Sequence, residues 1–199
     1  MAEVSKGYAP LQERIRREGR VLPGNIIKVD GFLNHRVDMQ LMHELSHEFI
    51  RRFDTSKVTL VMTVEASGIA LASAVAADLG VPLLYAKKAK SDNIEGGLYQ
   101  SEIMSYTYRK KVTLILSKQW LSPGTRVLII DDFMARGEAV RGLCELVETA
   151  RAELVGVGIA VEKGFQGGGD RLRGMGVNYH ALAVIDRIEA DQIRFRDEE

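Results

Sequence analysis

The segment from Val127 to Ala139 constrains the fold of this chain more than any other. It begins with an uninterrupted aliphatic run, continues with Asp131 and Asp132, and passes through a short loop around Gly137 into a helix-like stretch. An apolar run without alternation is typical of a parallel strand that is covered on both faces. A helix that follows such a strand offers unpaired backbone N–H groups to an anion. The segment therefore predicts an α/β fold with a phosphate-binding loop beside a pair of acids.

Strand-like and helix-like segments alternate along most of the chain. Apolar residues recur at helical spacing in some segments, such as Leu41, Leu45, Phe49 and Phe53, and form short continuous runs in others. This alternation predicts a mostly parallel sheet flanked by helices. We expect strands at 26–29, 58–64, 83–86, 112–116, 127–130, 154–161, 179–185 and 193–195. Helices are expected at 11–18, 39–53, 69–79, 139–150 and 171–175, the last of them capped by Asp170.

A polar stretch from Lys87 to Lys111 interrupts this alternation. It is long for a connection inside a compact domain, and Gly96 with Gly97 offers a hinge. Such stretches often close over a bound substrate. We therefore expect a flexible loop over about residues 87–111 that acts as a lid.

Composition indicates one domain, spanning residues 1–199, and no strongly charged partner. The 27 basic and 27 acidic residues give a formal net charge of zero, so no overall field attracts nucleic acid or an anionic membrane. Cys144 is the single cysteine, which excludes a disulfide framework and fits a reducing cytoplasm. The segment from Met1 to Pro10 has no apolar core of a signal peptide. We therefore expect a cytoplasmic protein with no nucleic acid or membrane partner.

The acid pair and one histidine pair are the first candidates for chemistry. Asp131 and Asp132 suit ribose hydroxyls or a hydrated Mg²⁺ ion, although acids that end a strand also simply face solvent. The segment from His43 to His47 matches the H-E-x-x-H zinc motif in its letters. No third ligand is evident in the sequence, and two surface histidines are the commoner outcome. We therefore expect no zinc site on this helix.

Four segments, in order along the chain, resemble the type I purine phosphoribosyltransferases, and in particular the bacterial xanthine phosphoribosyltransferases. The similarity runs from about Leu11 to Ile188. The segment Val127–Ala139 resembles the signature that binds phosphoribosyl diphosphate (PRPP). The other three segments are residues 28–35, 65–70 and 162–166. The resemblance implies an α/β fold of the type I phosphoribosyltransferases, with a small hood from about residues 20–38 plus the C-terminal strands, a flexible lid and a homodimer.

The resemblance also implies roles for the residues that contact PRPP. Asp131 and Asp132 would bind the ribose, with Mg²⁺ held nearby through PRPP and water, and Lys88 would join them in catalysis. The 5′-phosphate would be held by a phosphate loop made of Ala135, Arg136, Gly137, Glu138 and Ala139. The pyrophosphate would be held by a pyrophosphate loop made of Glu65, Ala66, Ser67 and Gly68, with Lys87 and Lys88. The ordinary alternative for the lysines is a solvated run of charge.

The phosphate loop departs from the usual family pattern because it contains no hydroxyl and carries two charged residues. A carboxylate beside a phosphate dianion is repulsive. Glu138 must therefore point away from the phosphate, or Arg136 must neutralise it. An equally weighted alternative is that the side chains of Arg136 and Glu138 both face solvent and play no part in binding the phosphate.

The resemblance also implies four residues that would bind the purine base. Lys163 would donate a hydrogen bond to O6 of a 6-oxopurine, and Phe165 would stack on the base or pack in the core. Ile27 and Asn34 would line the base site, where the Asn34 amide suits an added 2-oxo group.

The implied activity is purine salvage by transfer of the 5-phosphoribosyl group of PRPP to N9 of xanthine, which yields xanthosine 5′-monophosphate (XMP) and pyrophosphate. Two alternatives stay open. One is the same chemistry on guanine, hypoxanthine or adenine, and the other is a purine regulator that senses PRPP.

Overall fold

The computed structural model describes residues 6–88, 97–105, 110–190 and 192–196. The strands are β1 (Arg20–Leu22), β2 (Ile26–Lys28), β3 (Leu60–Val64), β4 (Leu83–Ala86), β5 (Leu98–Ser105), β6 (Lys110–Ser117), β7 (Arg126–Met134), β8 (Glu153–Lys163), β9 (Tyr179–Glu189) and β10 (Gln192–Phe195). The helices are α1 (Ala9–Glu18), α2 (Met39–Arg52), α3 (Gly68–Leu79), α4 (Glu138–Thr149) and α5 (Gly168–Gly174). Within the described residues, six strands form a central sheet in the order β10-β9-β8-β7-β3-β4.

The direction in which the chain crosses this sheet reverses between β3 and β7. Strand β3 leads through α3 to its neighbour β4, whereas β7 leads through α4 to β8 on the opposite side. Neighbouring strands from β9 to β4 are parallel, and β10 joins β9 antiparallel. The predicted mostly parallel sheet with flanking helices is thus confirmed. In such sheets ligands bind at the carboxyl ends of the strands where the order reverses, which here is the crevice between β3 and β7.

Helices cover both faces of the central sheet. On one face α2 and α3 pack together through buried side chains such as Leu45 and Val75, which share a core with Leu128 of β7. On the other face α4 packs through Leu143 against a core that includes Ile129. The alternating side chains of β7 therefore serve both cores, which explains its unbroken apolar sequence. No helix among the described residues combines the length and hydropathy needed to cross a membrane.

The ends of these helices follow from local sequence. Asp38 caps α2, since its carboxylate accepts hydrogen bonds from the backbone N–H groups of Gln40 and Leu41. Gly80 ends α3 at φ +66°, a left-handed conformation that glycine adopts without steric cost. Both ends agree with the helices predicted from the sequence to within a residue or two.

The polar stretch expected to be a loop contains most of a two-stranded antiparallel ribbon. Strands β5 and β6 pair from Leu98–Ser117 to Ser105–Lys110. The ribbon packs on α4 at Gly142, where a Cβ atom would lie 2.6 Å from Cγ2 of Ile103 and leave no room for the ribbon. Residues 98–105 of the expected flexible loop over 87–111 therefore form a strand, and its action as a lid stays a prediction. Residues 89–96, with Gly96 of the expected hinge, and 106–109 lie outside the described residues.

The segment expected to form the hood, about residues 20–38, begins with two strands, and its role as a hood stays a prediction. Strands β1 and β2 form a hairpin separate from the central sheet, and a π-helical turn at Asp30–Asn34 follows it. The C-terminal strands β9 and β10, expected in the hood, instead extend the central sheet beside β8. Their placement follows from the parallel pairing of β9 with β8, which buries Ala181 and Ala183 in the sheet.

The predicted cap of α5 is wrong. Gly167, at φ +73°, precedes the first residue of the helix, so Asp170 lies inside the first turn. The Asp170 carboxylate instead accepts hydrogen bonds from Arg173 and Arg196, each at 2.9 Å. Two arginines compete for this carboxylate more strongly than a backbone N–H group does.

Candidate active site

A cleft of about 380 Å³ opens at the carboxyl ends of β3 and β7, in the crevice that the strand order indicates. Its lining includes most residues that the sequence singled out: Ile27, Asn34, Glu65, Ser67, Lys88, Asp131, Asp132 and Ala135–Ala139. Among the described candidates, those outside the lining are Ala66, Gly68, Lys87, Lys163 and Phe165. The lining also has apolar members that the sequence did not single out: Val64, Ile103, Met104, Val112, Phe133, Met134 and Val140.

The acid pair lies inside β7, which continues through both acids to Met134. Asp131 is 5% exposed and Asp132 is 2% exposed, so the alternative of acids that face solvent is wrong. Asp132 accepts hydrogen bonds from the Asn34 amide at 2.9 Å and from the Ser67 hydroxyl at 2.8 Å. One carboxylate thus joins the loop after β2, the loop after β3 and β7 at a single point.

Ionisation of the Asp131 carboxylate is unfavourable in the protein without ligands. Burial, followed by the charge of Asp132, raises the pKa of Asp131 well above its usual value, and the charge of Lys88 opposes this rise. The Asp131 carboxylate accepts a hydrogen bond from the backbone N–H of Asp132 at 3.0 Å. A cation or a hydrogen-bond donor that enters the cleft would therefore favour the doubly ionised pair.

The pyrophosphate loop approaches the acids so closely that it requires glycine. A Cβ atom at Gly68 would overlap the carboxylate of Asp131 and the hydroxyl of Thr63. The hydrogen atom of glycine lets α3 begin directly beside the pair. The Glu65 carboxylate accepts a hydrogen bond from the backbone N–H of Lys88 at 2.6 Å, so this loop also holds the chain after β4. The peptide bond between Glu65 and Ala66 is cis.

The phosphate loop ends in a helix start that suits an anion. Gly137 has φ +81° and precedes the first residue of α4, and no side chain of the described residues caps that end by a hydrogen bond. The first N–H groups of a helix lack partners within the helix, and its dipole favours negative charge there. Glu138 and Ala139, expected in the loop, form the first turn of α4. This arrangement offers backbone donors to a phosphate.

The partner of Glu138 is a residue that the sequence analysis did not consider. The carboxylate of Glu138 lies 3.2 Å from the guanidinium of Arg141, one helical turn later, and Arg141 also pairs with Glu145. Arg141 further donates to the Glu102 carbonyl on β5 at 3.1 Å. The spacing of three residues on a helix was the signal in the sequence. The Glu138 carboxylate is therefore paired with Arg141.

Gly168, at the start of α5, packs closely against the phosphate loop. A Cβ atom at Gly168 would lie 2.6 Å from the Ala135 carbonyl oxygen and 3.1 Å from the Gly137 nitrogen. Arg171, on the same helix, donates to the carbonyl of Arg136. The start of α5 thus sets the position of the phosphate loop. Its role depends on a contact across the sheet that has no local sequence signal.

Of two purine candidates near the end of β8, Lys163 is the last residue of the strand and Phe165 follows it, and neither lines the cleft. The Lys163 ammonium donates to the Asn25 carbonyl of the β1–β2 turn at 3.0 Å and lies 5.6 Å from the ring centre of Phe133. Burial lowers the pKa of Lys163. Phe165 is 40% exposed, which excludes the alternative of a core residue. Phe133, in contrast, lines the cleft directly after the acids.

A buried carboxylate, that of Glu162, supports the loop after β8. Glu162 is fully buried and accepts hydrogen bonds from the Tyr179 hydroxyl at 2.7 Å and from the Gly169 N–H at 3.0 Å. Burial and then the Glu162 charge raise the pKa of Tyr179 far above its usual value. These bonds tie both ends of the 163–168 segment to the sheet.

Comparison with known proteins identifies a family and its near relatives. The family model described as "Phosphoribosyl transferase domain" matches residues 29–171. Xanthine phosphoribosyltransferase from Lachnoclostridium phytofermentans is 48% identical over 91% of this chain and 93% of its own length. Xanthine phosphoribosyltransferase 1 from Clostridium perfringens is 46% identical over 94% of this chain and 98% of its own length.

The fold is also shared with solved structures of lower identity. Adenine phosphoribosyltransferase from Giardia lamblia, complexed with 9-deazaadenine, superposes with a TM-score of 0.73 at 20% identity, over 89% of this chain and 97% of that one. The enzyme from Rhodothermus marinus gives a TM-score of 0.69 at 23% identity, over 87% and 98%. At this identity the likeness establishes the architecture alone. Which base is bound must be argued from the site itself.

Proposed function

The chain belongs to the xanthine phosphoribosyltransferase family, and on that premise we propose that it is a purine salvage enzyme that transfers the 5-phosphoribosyl group of PRPP to N9 of xanthine. The products are XMP and pyrophosphate. The observation that carries this proposal is the buried pair of Asp131 and Asp132, which lies between the start of α3 and the start of α4. Two helix starts suit the two phosphorylated ends of PRPP, and the acids between them suit its ribose.

In the proposed reaction the bond between C1′ and the pyrophosphate oxygen breaks, and a bond between C1′ and N9 forms. Positive charge builds on the ribose, and negative charge builds on the leaving pyrophosphate. The carboxylates of Asp131 and Asp132 stabilise the ribose side, and the ammonium of Lys88 with the N–H groups of the pyrophosphate loop stabilise the leaving group. The backbone of the phosphate loop holds the 5′-phosphate, so the reacting atoms stay aligned.

Mg²⁺ is the cofactor that we propose to accompany PRPP. The donors near Asp131 and Asp132 are hard oxygen atoms, which suit this ion, and the raised pKa of Asp131 indicates a site where added positive charge is favourable. Ser67 and Asn34 already occupy Asp132, so the ion would contact the pair largely through water and PRPP oxygens. When bound, it neutralises charge on the leaving pyrophosphate.

For the base we propose that Lys163 donates to O6, that Asn34 contacts the 2-oxo side and that Ile27 lines the pocket. Phe133 or Phe165 would stack on the purine, and Phe133 has the better position because it faces the cleft. Lys163 donates to the Asn25 carbonyl and has two further ammonium hydrogens for the base, and Asn34 has a second N–H and an amide oxygen besides the N–H that it donates to Asp132. Both residues would link binding of the purine to the hood.

Product identification tests the proposed function. Purified protein with PRPP and Mg²⁺ is supplied in turn with xanthine, guanine, hypoxanthine and adenine, and nucleotide and pyrophosphate are measured together. We expect XMP to form with the highest kcat/KM. A preference for another purine would still support the transfer chemistry but would overturn the assignment of xanthine as the base. PRPP binding without nucleotide formation on any base would favour the regulator that senses PRPP.

We also propose that the chain acts as a single domain in the cytoplasm and as a homodimer. The single cysteine, Cys144, fits a reducing compartment. Exposed apolar side chains such as Trp120, 63% exposed, and Tyr85, 40% exposed, offer surface for a second copy. Light scattering coupled to size-exclusion chromatography measures the assembly, and a monomer at micromolar concentration would contradict it.

A further inference from the structure

Two histidines and one aspartate meet on the surface between α2 and α3. His43 and His47 lie one turn apart on the exposed face of α2, and Asp78 lies in the last turn of α3. The H-E-x-x-H letters were set aside because the sequence showed no third ligand. The packing of α2 on α3 brings that third ligand from a residue 31 positions further along the chain, beyond any local motif.

The three side chains converge on one point. The Nδ1 atom of His43 lies 3.5 Å from one oxygen of Asp78, and the Nε2 atom of His47 lies 3.7 Å from the other. The ligand atoms of the three residues all lie within 4.8 Å of one another. Ligands of a tetrahedral zinc ion, at about 2.0–2.1 Å from the metal, are separated by about 3.3 Å. Rotations of exposed histidine side chains are enough to close the difference.

We propose that His43, His47 and Asp78 form a binding site for a divalent transition metal of the Zn²⁺ class. Two imidazole nitrogens and one carboxylate oxygen are ligands that Zn²⁺, Ni²⁺ and Cu²⁺ bind readily, whereas Mg²⁺ prefers oxygen alone. Among the residues that the structure describes, His43, His47 and Asp78 are the group of at least three His, Cys, Asp or Glu side chains whose ligand atoms converge. The fourth position faces solvent, because the two histidine side chains are 58% and 72% exposed.

The site is separate from the cleft and joins two helices. Asp78 lies ten residues after Gly68 on α3, which places it about 15 Å along the helix from the pyrophosphate loop. A metal bound there clamps the last turn of α3 to the middle of α2. Because the ion binds the folded pair of helices and not the unfolded chain, its binding free energy adds to stability. The expected consequence is stabilisation by the metal, with the transfer chemistry left to the cleft.

The test is a Zn²⁺ titration of the untagged protein against a chromogenic chelator, in excess Mg²⁺, which competes for sites made of oxygen ligands alone. We expect one Zn²⁺ per chain. Zn²⁺ at about 100 times its Kd is expected to raise Tm by roughly 5–10 °C. Co²⁺ in its place is expected to give the visible absorption bands of a four-coordinate site with nitrogen ligands. Burial raises the pKa of Cys144 to about 11, so this thiol is protonated near neutral pH and competes poorly for the metal.

Matched variants on the same surface decide the outcome. His43→Ala, His47→Ala and Asp78→Asn are each expected to weaken Zn²⁺ binding by about tenfold or more and to abolish the rise in Tm. Glu44→Gln is the control, because Glu44 shares the motif but lies outside the cluster. Tm without metal and basal kcat are expected to stay near wild type for the histidine variants. Equal Zn²⁺ binding by wild type and the variants, or an equal loss in Glu44→Gln, would overturn the site.

Discussion

The half of the cleft assigned to PRPP is held together by contacts among its own residues, whereas the half assigned to the purine takes its candidate side chains from the hood and the end of β8. In the PRPP half, Ser67 donates to Asp132, and Gly68 lies against Asp131. In the purine half, Lys163 donates to a carbonyl of the hood turn at 3.0 Å, and Asn34 donates to Asp132. The first half is preorganised for its substrate, and the donors of the second must be shared between the purine and other parts of the protein.

This difference follows from how each half is assembled. The acids, the phosphate loop and the first turn of α4 are one continuous segment, and the start of α5 supports its loop. The purine half brings together the β1–β2 hairpin, the π-helical turn and the end of β8, which are far apart in sequence. Preorganised groups give a large effect when removed, because no alternative partner replaces them. We therefore expect larger losses from the PRPP half than from the purine half.

The largest expected effect comes from the acids. Changing Asp131 and Asp132 together to Asn keeps their shape and removes the charge that the ribose and Mg²⁺ require. We expect kcat/KM for PRPP to fall by roughly 10²–10³-fold. Steady-state kinetics with varied PRPP measures this, with circular dichroism to check the fold. Asp54→Asn, at an aspartate that is 61% exposed, is the matched control and should leave the kinetics unchanged. A folded double variant with wild-type kinetics would remove the acids from the site.

Gly168 tests whether the phosphate loop is held from behind. A methyl group at Gly168 would lie 2.6 Å from the carbonyl oxygen of Ala135, so the loop must move. Overpacking of this kind costs about 1–3 kcal/mol, and we expect Gly168→Ala to raise the KM for PRPP about tenfold. The KM for xanthine should change less.

A second glycine of the same helix provides the control for that variant. A Cβ atom at Gly174 meets no atom within 4 Å, and alanine is the better helix former there. Gly174→Ala is expected to keep both KM values and to stabilise the protein slightly. Equal KM values for PRPP in the two variants would show that the contact with Ala135 does not position the loop.

Lys163 tests the purine half. If its ammonium donates to O6, removal leaves that acceptor without a partner, at a cost of about 1–3 kcal/mol. We expect Lys163→Ala to raise the KM for xanthine about tenfold and to leave the KM for PRPP nearly unchanged. Lys57→Ala, at an exposed lysine on the opposite end of β3, is the control. A matching rise in both KM values would sink the assignment of Lys163 to the base.

The raised pKa of Asp131 predicts a pH dependence of stability in the protein without ligands. The folded state holds a proton on Asp131 to a higher pH than the unfolded state, whose aspartates titrate near about 3.9. Stability due to this group is therefore present at low pH and is lost as pH rises through the raised value. Denaturant unfolding at a series of pH values should show the free energy of unfolding of Asp131→Asn increasing relative to that of wild type as pH rises. A constant difference would mean that Asp131 titrates normally.

Arg141 gives the smallest expected effect. The pair of Arg141 with Glu138 is partly exposed, and such pairs contribute about 0–1 kcal/mol. We expect Arg141→Gln to raise the KM for PRPP by up to about fivefold, because the Glu138 carboxylate then faces the phosphate without a counter-charge. Adding Glu138→Gln should restore the KM. No rescue by the second change would show that the two side chains act independently.

Sequence alone was sufficient for features that depend on neighbouring residues. The strand with Asp131 and Asp132 and the glycine start of α4 are adjacent in sequence, and both were predicted. Strand β6 was predicted at 112–116, but β5 was missed because its polar residues resemble a loop until the ribbon packs on α4 at Gly142. Gly168 was missed for a similar reason, since its contact with the phosphate loop exists only after α5 docks. Such contacts depend on tertiary packing and leave no local pattern.

The most direct test of the account measures PRPP and xanthine kinetics in the same two variants. The double variant of Asp131 and Asp132 to Asn and the Lys163→Ala variant are assayed for XMP formation, each substrate being varied at saturation of the other. We expect opposite patterns, with the acid variant losing mainly kcat/KM for PRPP and the lysine variant mainly kcat/KM for xanthine. If both variants lose both values in equal proportion, the cleft does not have separate PRPP and purine halves, and the account is contradicted.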